Sequence, residues 1–121
     1  MRNILFICSR NQWRSPTGEQ VWKHHPALNV RSAGTSQKAK KTVKVHDIQW
    51  AEIIFVMEEK HKRRLKSQFT RVTTHKDIRV LDVPDEYQFM DHALIQIFKE
   101  VVGMHLGISW DFRIWLERHG A

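Results

Sequence analysis

Four short apolar stretches punctuate the chain, at residues 3–7, 28–32, 53–57 and 78–81. The first and third are continuous rather than alternating, the pattern of strands covered on both faces in a parallel sheet. Helix-compatible segments separate them. Residues 15–25 run up to Pro26, with Pro16 in a first turn, where a missing N–H costs nothing. Residues 58–69 open on two acids and continue with Lys60, Lys62, Arg63, Arg64 and Lys66, matching the helix macrodipole at both ends, and offer little to a core beyond Leu65 and Phe69. Around Asp91, the residues Met90, Leu94, Ile97, Phe98 and Val101 keep helical spacing, and this amphipathic helix is expected to close one face of the sheet. Residues 36–44, rich in lysine, read as an exposed loop. The alternation predicts an α/β fold, a single open parallel four-stranded sheet with helices on both faces and a ligand site at the carboxyl ends of the strands. Residues 106–121 form a C-terminal element that the pattern leaves open. Ile108, Trp110, Phe112, Ile114 and Leu116 alternate with Ser109, Asp111, Arg113 and Trp115 as in a strand, whereas Ser109 is suited to cap a short helix. The aromatic load there reads as burial against the domain, with self-association as the other reading.

The length of 121 residues and 41% hydrophobic content suit one domain over residues 1–121. The first apolar run is far shorter than a signal peptide or a membrane span requires, so the expectation is a cytoplasmic protein with no membrane partner. A single cysteine excludes an internal disulfide and agrees with a reducing compartment. The formal net charge of +7 is concentrated in residues 38–44 and 60–66, and such an excess draws phosphorylated substrates or polyanions. No aromatic-interleaved basic groove accompanies it, so nucleic acid is not the expected partner. None of the eight histidines has metal-ligand spacing, and neither a metal nor a cofactor is expected; the histidines read as surface residues and Trp50 and Met57 as core.

The chemistry-bearing feature is Cys8 followed at the sixth position by Arg14 and then by Ser15, placed between the first strand and the first helix. A loop in that position turns free backbone N–H groups inward, and the helix start adds partial positive charge. It can hold an anion such as phosphate or sulfate. The same amides and the Arg14 guanidinium stabilise a thiolate at the mouth of the loop, which makes Cys8 a candidate nucleophile.

The stretch from Ile4 to Pro16 resembles the phosphate-binding loop of the low-molecular-weight protein tyrosine phosphatase family. Three further segments resemble that family in the expected order: Ser32-Ala33-Gly34-Thr35, the helix–strand–helix unit from Asp47 through Leu65, and the acid loop Val83-Pro84-Asp85-Glu86-Tyr87. The resemblance covers roughly residues 3–102, with the short bacterial predicted tyrosine phosphatases as the nearest kind. It implies a cysteine-dependent phosphomonoester hydrolase acting on protein phosphotyrosine, or on a small phosphomonoester, through a phosphocysteine. Cys8 would attack phosphorus in line. The loop residues Ser9, Arg10, Asn11, Gln12, Trp13, Arg14 and Ser15 would bind the phosphoryl oxygens, with Arg14 as a bidentate fork, Ser15 donating to the Cys8 sulfur and Asn11 shaping the loop. Asp85 would protonate the leaving oxygen and then activate water, with Asp82 as the rival for that role. Tyr87 would form an aromatic wall for the substrate ring, or else anchor its own loop.

The departures from the family pattern are as informative. Arg10 stands where a small glycine is usual, Trp13 replaces the second cysteine that protects the nucleophile, and Glu86 replaces the proline after the acid. With one cysteine, the arsenate reductase chemistry of related proteins cannot be completed. The segment between Thr35 and Asp47 is shortened, which implies a shallower pocket. The alternatives to an enzyme are a phosphate- or phosphopeptide-binding module with little turnover, and nucleic-acid association through the basic faces.

Overall fold

Strand β1, Arg2–Cys8, pairs in parallel with β2, Leu28–Gly34, on one side and with β3, Ile53–Val56, on the other. Strand β4, Asp77–Val80, extends the sheet beyond β3, so the order is β2-β1-β3-β4 and every pairing is parallel. The computed structural model describes residues 1–119; residues 120 and 121 of the expected domain, and the side chains of Ile114 and Trp115 in the C-terminal alternation, lie outside the described residues.

The continuous apolar runs are explained by the two layers that cover the sheet. Ile4, Phe6 and Cys8 face one cluster with Phe55, Trp22, Leu94 and Phe98, while Leu5 and Ile7 face the other with Ile54, Ile48 and Leu65. Side chains of successive strand residues point to opposite faces, so a strand buried on both must be apolar throughout. Helices α1, Arg14–Trp22, and α5, His92–Leu106, supply the first layer; α2, Val45–Trp50, and α3, Glu59–Gln68, supply the second. Phe6 stacks on Phe55 and meets the edge of Phe98, both at 5.7 Å between ring centroids. Burying each such ring contributes roughly 1.5–3 kcal/mol. A Cβ on Gly18 would lie 2.9 Å from the Phe98 ring, so a larger residue would push α1 off α5.

Three local outcomes extend, correct or decide the sequence expectation. The helix expected over 58–69 forms as α3 and stops at Phe69 (φ −130°, ψ 56°), and a further single turn that was not expected, α4, Thr70–Thr73, follows it. Two histidines read as surface residues are buried: His61 is wholly covered, and His25 is 4% exposed. Each is buried because its ring nitrogens are matched by the fold, His25 by the Ser109 carbonyl and the Ala27 N–H, His61 by Ser9 and the Glu58 N–H. The third outcome decides the open C-terminal reading in favour of a helix, α6, Arg113–His119. The segment before it packs back on the domain: Trp110 Nε1 donates to the Val21 carbonyl at 2.6 Å, and the Lys99 ammonium lies 3.8 Å over the Trp110 ring. Among the described residues no helix is long and apolar enough to cross a membrane.

Candidate active site

β1 ends at Cys8 and α1 begins at Arg14, so the five residues between them form a loop at the carboxyl edge of the sheet. Its shape is fixed from inside. Asn11 takes a left-handed conformation (φ 51°), which asparagine tolerates better than most side chains. Its buried amide donates to the Ser15 hydroxyl at 2.9 Å and to the Ser32 hydroxyl at 3.0 Å, and Ser32 donates in turn to Glu19. The segment Ser32 to Thr35 buttresses the loop through its backbone. Thr35 N donates to the Cys8 carbonyl and Ser36 N to the Ser9 carbonyl. A Cβ on Gly34 would lie 2.4 Å from the Ser9 carbonyl oxygen, so no other residue lets β2 pass so close.

The nucleophile candidate is 4% exposed, and its sulfur lies 2.9 Å from the Ser15 hydroxyl oxygen. Ser15 already accepts the Asn11 amide hydrogen, and its own hydrogen has two acceptors to choose from, the sulfur at 2.9 Å and the more distant Ala33 carbonyl at 3.4 Å, so a charged sulfur is the one it favours. A thiolate is an acceptor only, and the Asn11–Ser15–Cys8 chain delivers a donor to it.

Arg14 is equally buried, at 4% exposure, and its guanidinium is held along one edge. Nη1 donates to a Glu58 carboxylate oxygen at 2.6 Å and to the Val83 carbonyl at 2.8 Å. The edge formed by Nε and Nη2 is thereby left for an anion, which it can grip with two parallel N–H groups. Asp85 approaches that same edge, with Oδ1 3.7 Å from Nε and its side chain 60% exposed. Hydrogen bonding by Arg14 holds the Glu58 carboxyl below the usual carboxylate range, against the opposing effect of burial.

Glu58 belongs to a second brace that the sequence reading missed. The Glu58 N–H donates to His61 Nδ1 at 3.0 Å, and His61 Nε2 lies 3.1 Å from the Ser9 hydroxyl. With Nδ1 accepting, the proton of the neutral ring sits on Nε2 and is directed at Ser9. Burial, reinforced by the Arg14 charge, lowers the His61 pKa to about 4, so the ring is neutral at pH 7. The first turn of α3 therefore fastens both ends of the loop, Ser9 through His61 and Arg14 through Glu58. The sequence signal was an acid followed by histidine at the third position just after a buried strand, where the two can bond across one helical turn.

Cys8, Ser9, Arg10, Gln12, Trp13, Arg14 and Asp85 line one cleft of about 80 Å³. Pockets for whole drug-sized ligands run to several hundred Å³, so this one suits a single small group such as a phosphoryl. Asn11 and Ser15 lie behind it as supports. Asp82 has a left-handed backbone (φ 56°) and lines a different cleft with Glu58, Glu59, Lys60, Arg63 and Pro84. Tyr87 is not among the residues lining the Cys8 cleft; it is half-buried against the core cluster of Trp22, Leu94 and Phe98. The aromatic side chain at the cleft is Trp13, 39% exposed. No group of histidine, cysteine and acidic side chains suited to a metal ion occurs among the described residues.

No family model matches the chain, and no curated protein sequence matches it. Solved structures do resemble it. A low-molecular-weight protein tyrosine phosphatase from Streptococcus pyogenes superposes with a TM-score of 0.75 at 20% identity, covering 98% of this chain and 99% of that one. Wzb from Vibrio vulnificus, in complex with benzylphosphonate, gives 0.72 at 21% identity, covering 88% and 97%. The YwlE arginine phosphatase from Geobacillus stearothermophilus gives 0.67 at 18% identity, covering 98% and 97%. The chain has the fold of these phosphatases over nearly their whole length.

Proposed function

We propose, from that shared fold and the cleft it carries, that the protein is a cysteine-dependent phosphomonoester hydrolase of the low-molecular-weight phosphatase type, working in the cytoplasm. The carrying observation is the convergence of Cys8, Arg14 and Asp85 on one cleft, with Ser15 Oγ 2.9 Å from the sulfur and Asp85 3.7 Å from the free edge of Arg14. The Cys8 thiolate attacks phosphorus in line, forming an S–P bond as the P–O bond to the leaving group breaks. Asp85, as the acid, gives its proton to the departing oxygen. Asp85, now a carboxylate, takes a proton from water, whose oxygen attacks the phosphocysteine; phosphate leaves and the thiolate is restored, with Ser15 donating to the departing sulfur. Through both steps the loop amides and the Nε–Nη2 edge of Arg14 hold the oxygens that carry the developing charge.

The substrate class is protein phosphotyrosine. Trp13 at the cleft offers an aryl group a flat apolar contact, and neighbours of the same fold are described as tyrosine phosphatases. Another neighbour is an arginine phosphatase, so the decisive assay runs both substrates. The wild-type protein is expected to hydrolyse an aryl phosphate and a phosphotyrosine peptide, a phosphoarginine peptide more slowly, and Cys8→Ser none of them. Retained phosphate binding with no Cys8-dependent turnover would instead make the chain a phosphate- or phosphopeptide-binding module.

A further inference from the structure

The two rims of the Cys8 cleft carry opposite charge. On one side Ser9 and Arg10 are bonded through their backbones to the lysine-rich segment, Ser36 N to the Ser9 carbonyl at 2.9 Å and Lys40 N to the Arg10 carbonyl at 3.0 Å. Residues 36–44 contain four lysines and no acid, and all four are exposed. Arg64 of α3 reaches the same rim, with Nη1 3.5 Å from the Ser9 hydroxyl, on a helix whose ten residues hold five Lys or Arg and one acid, Glu59. Arg10, Lys38, Lys40 and Arg64 make no ion pair among those found in the described residues, where Arg14, Arg31, Lys60, Arg79 and Arg113 each have a carboxylate partner. On the other side the residues from Pro84 to Met90 contain no base and carry Glu86, exposed, which stays charged while its neighbour Asp85 holds the proton it donates.

Such an asymmetry does little for a lone phosphoryl group, which the loop itself already neutralises. It acts on whatever is attached to that group. A polypeptide lying across the cleft meets a positive rim on one side of its phosphorylated residue and a negative rim on the other. Like charges across the negative rim repel it, and unlike charges across the positive rim steer and hold it. We propose that the cleft selects a phosphorylated residue flanked on one side by acidic residues, and that Lys38, Lys40 and Arg64 read that flank. The inference rests on the phosphatase reading and adds to it a substrate class and an orientation.

The test uses three matched phosphotyrosine peptides, one with two acids before the phosphorylated residue, one with two after it, and one neutral. Both turnover by the wild-type protein and binding to Cys8→Ser are measured. One acidic peptide, and not the other, is expected to exceed the neutral one by about fivefold in kcat/KM and in affinity, the sum of two exposed charge contacts. The advantage should shrink as ionic strength rises through about 0.15 M, where exposed charges are screened beyond roughly 8 Å. It should fall to about one in the triple variant Lys38→Gln, Lys40→Gln, Arg64→Gln. Equal values for all three peptides, or an advantage that survives the triple substitution, would overturn the proposal. So would a single-stranded oligonucleotide that binds with the same dependence on these residues but more tightly than the acidic peptide, which would make the rim a nucleic-acid surface. Failure of the phosphatase reading shows separately, as absence of aryl phosphate hydrolysis, while the binding arm still decides the flank preference.

Discussion

The loop from Cys8 to Ser15 and the segment that carries Asp85 meet in one cleft but are built in opposite ways. From Cys8 to Ser15 the chain is held by side-chain bonds: the buried Asn11 on Ser15 and Ser32, the buried His61 on Ser9, and the half-buried Glu58 on the buried Arg14. From Asp82 to Met90 it is mostly exposed, with Val83 the fully buried exception and Tyr87 half-buried. Asp85 itself has one close charged contact, at 3.7 Å, and remains 60% exposed. On the proposed reading, the half that binds phosphate is thus preorganised, and the half that carries the acid rides on a strap tied at Val83 and, at its far end, by the Met90 N–H on the Thr17 hydroxyl. Arg14 joins the two, since its Nη1 bonds both Glu58 and the Val83 carbonyl. Preorganised donors stabilise charge in every step, whereas an acid on a strap acts when it reaches the leaving oxygen.

The contrast is broken most directly by exchanging the acid. Asp85→Asn is expected to lower kcat by about 10²–10⁴-fold on a substrate with a poor leaving group, the usual yield of general acid catalysis, and much less on an activated aryl phosphate. Asp82→Asn, at the other cleft, should leave the rate within a few-fold of wild type. A collapse with Asp82→Asn alone would move the acid to Asp82. In the preorganised half, Arg14→Lys keeps the charge but loses the planar fork and its two anchoring bonds, to Glu58 and Val83. Its kcat/KM should fall by roughly 10²–10³-fold whatever the leaving group, as for loss of a transition-state donor. A leaving-group dependence like that of Asp85→Asn would show that Arg14 chiefly serves the strap.

A third comparison concerns stability rather than rate. The folded-state pKa of His61 is lowered to about 4 from 6.5, so between those values the unfolded chain binds more protons, and stability falls as pH drops through that window. The loss reaches about 3 kcal/mol if the shift is fully expressed. Burial lowers His25 and hydrogen bonding lowers Glu58, and both add in the same direction. Chemical denaturation at pH 7 and pH 4.5 measures it. His61→Asn, which can still accept from the Glu58 N–H but cannot titrate, should flatten most of the difference; an unchanged pH dependence in that variant would place the titrating group elsewhere.

The same contrast governs what the sequence disclosed. The four strands and the loop after β1 were legible because burial on both faces and the proposed phosphate binding each impose a dense local pattern: continuous apolar residues, and Cys8, Asn11, Arg14 and Ser15 at fixed spacing. The strap has no such pattern, so Asp82 and Asp85 competed for the acid's role; Asp85 lines the Cys8 cleft and Asp82 a different one, which favours the proposed assignment to Asp85. Helix α2 is six residues long, too short to display a period, and is fixed by Asp47, whose carboxylate accepts the Lys44 N–H at 2.9 Å. His61 was misplaced because only one of its partners, the Glu58 N–H, is local; the other, Ser9, comes from the loop after β1. A buried polar residue is recognised by what satisfies it, and that information is tertiary.

Glu58 offers the finest division between the two halves, because its carboxylate does two separable things to Arg14. It accepts from Nη1 at 2.6 Å, which leaves the Nε–Nη2 edge facing the cleft, and it places a negative charge beside the proposed phosphate site. Glu58→Gln keeps an acceptor of the same length and removes the charge. It should therefore bind phosphate about two- to fivefold more tightly, a modest gain because the carboxylate is partly exposed and screened, with kcat within a factor of a few. Glu58→Ala removes the acceptor as well, leaving Val83 as the tie on Nη1. The guanidinium can then rotate, and kcat should fall by about tenfold, the value of one hydrogen bond to a charged group. Inhibition by inorganic phosphate and single-turnover rates for both variants separate the effects. Identical behaviour of Gln and Ala would mean that Glu58 acts through charge alone and that Val83, on the strap, is what orients Arg14.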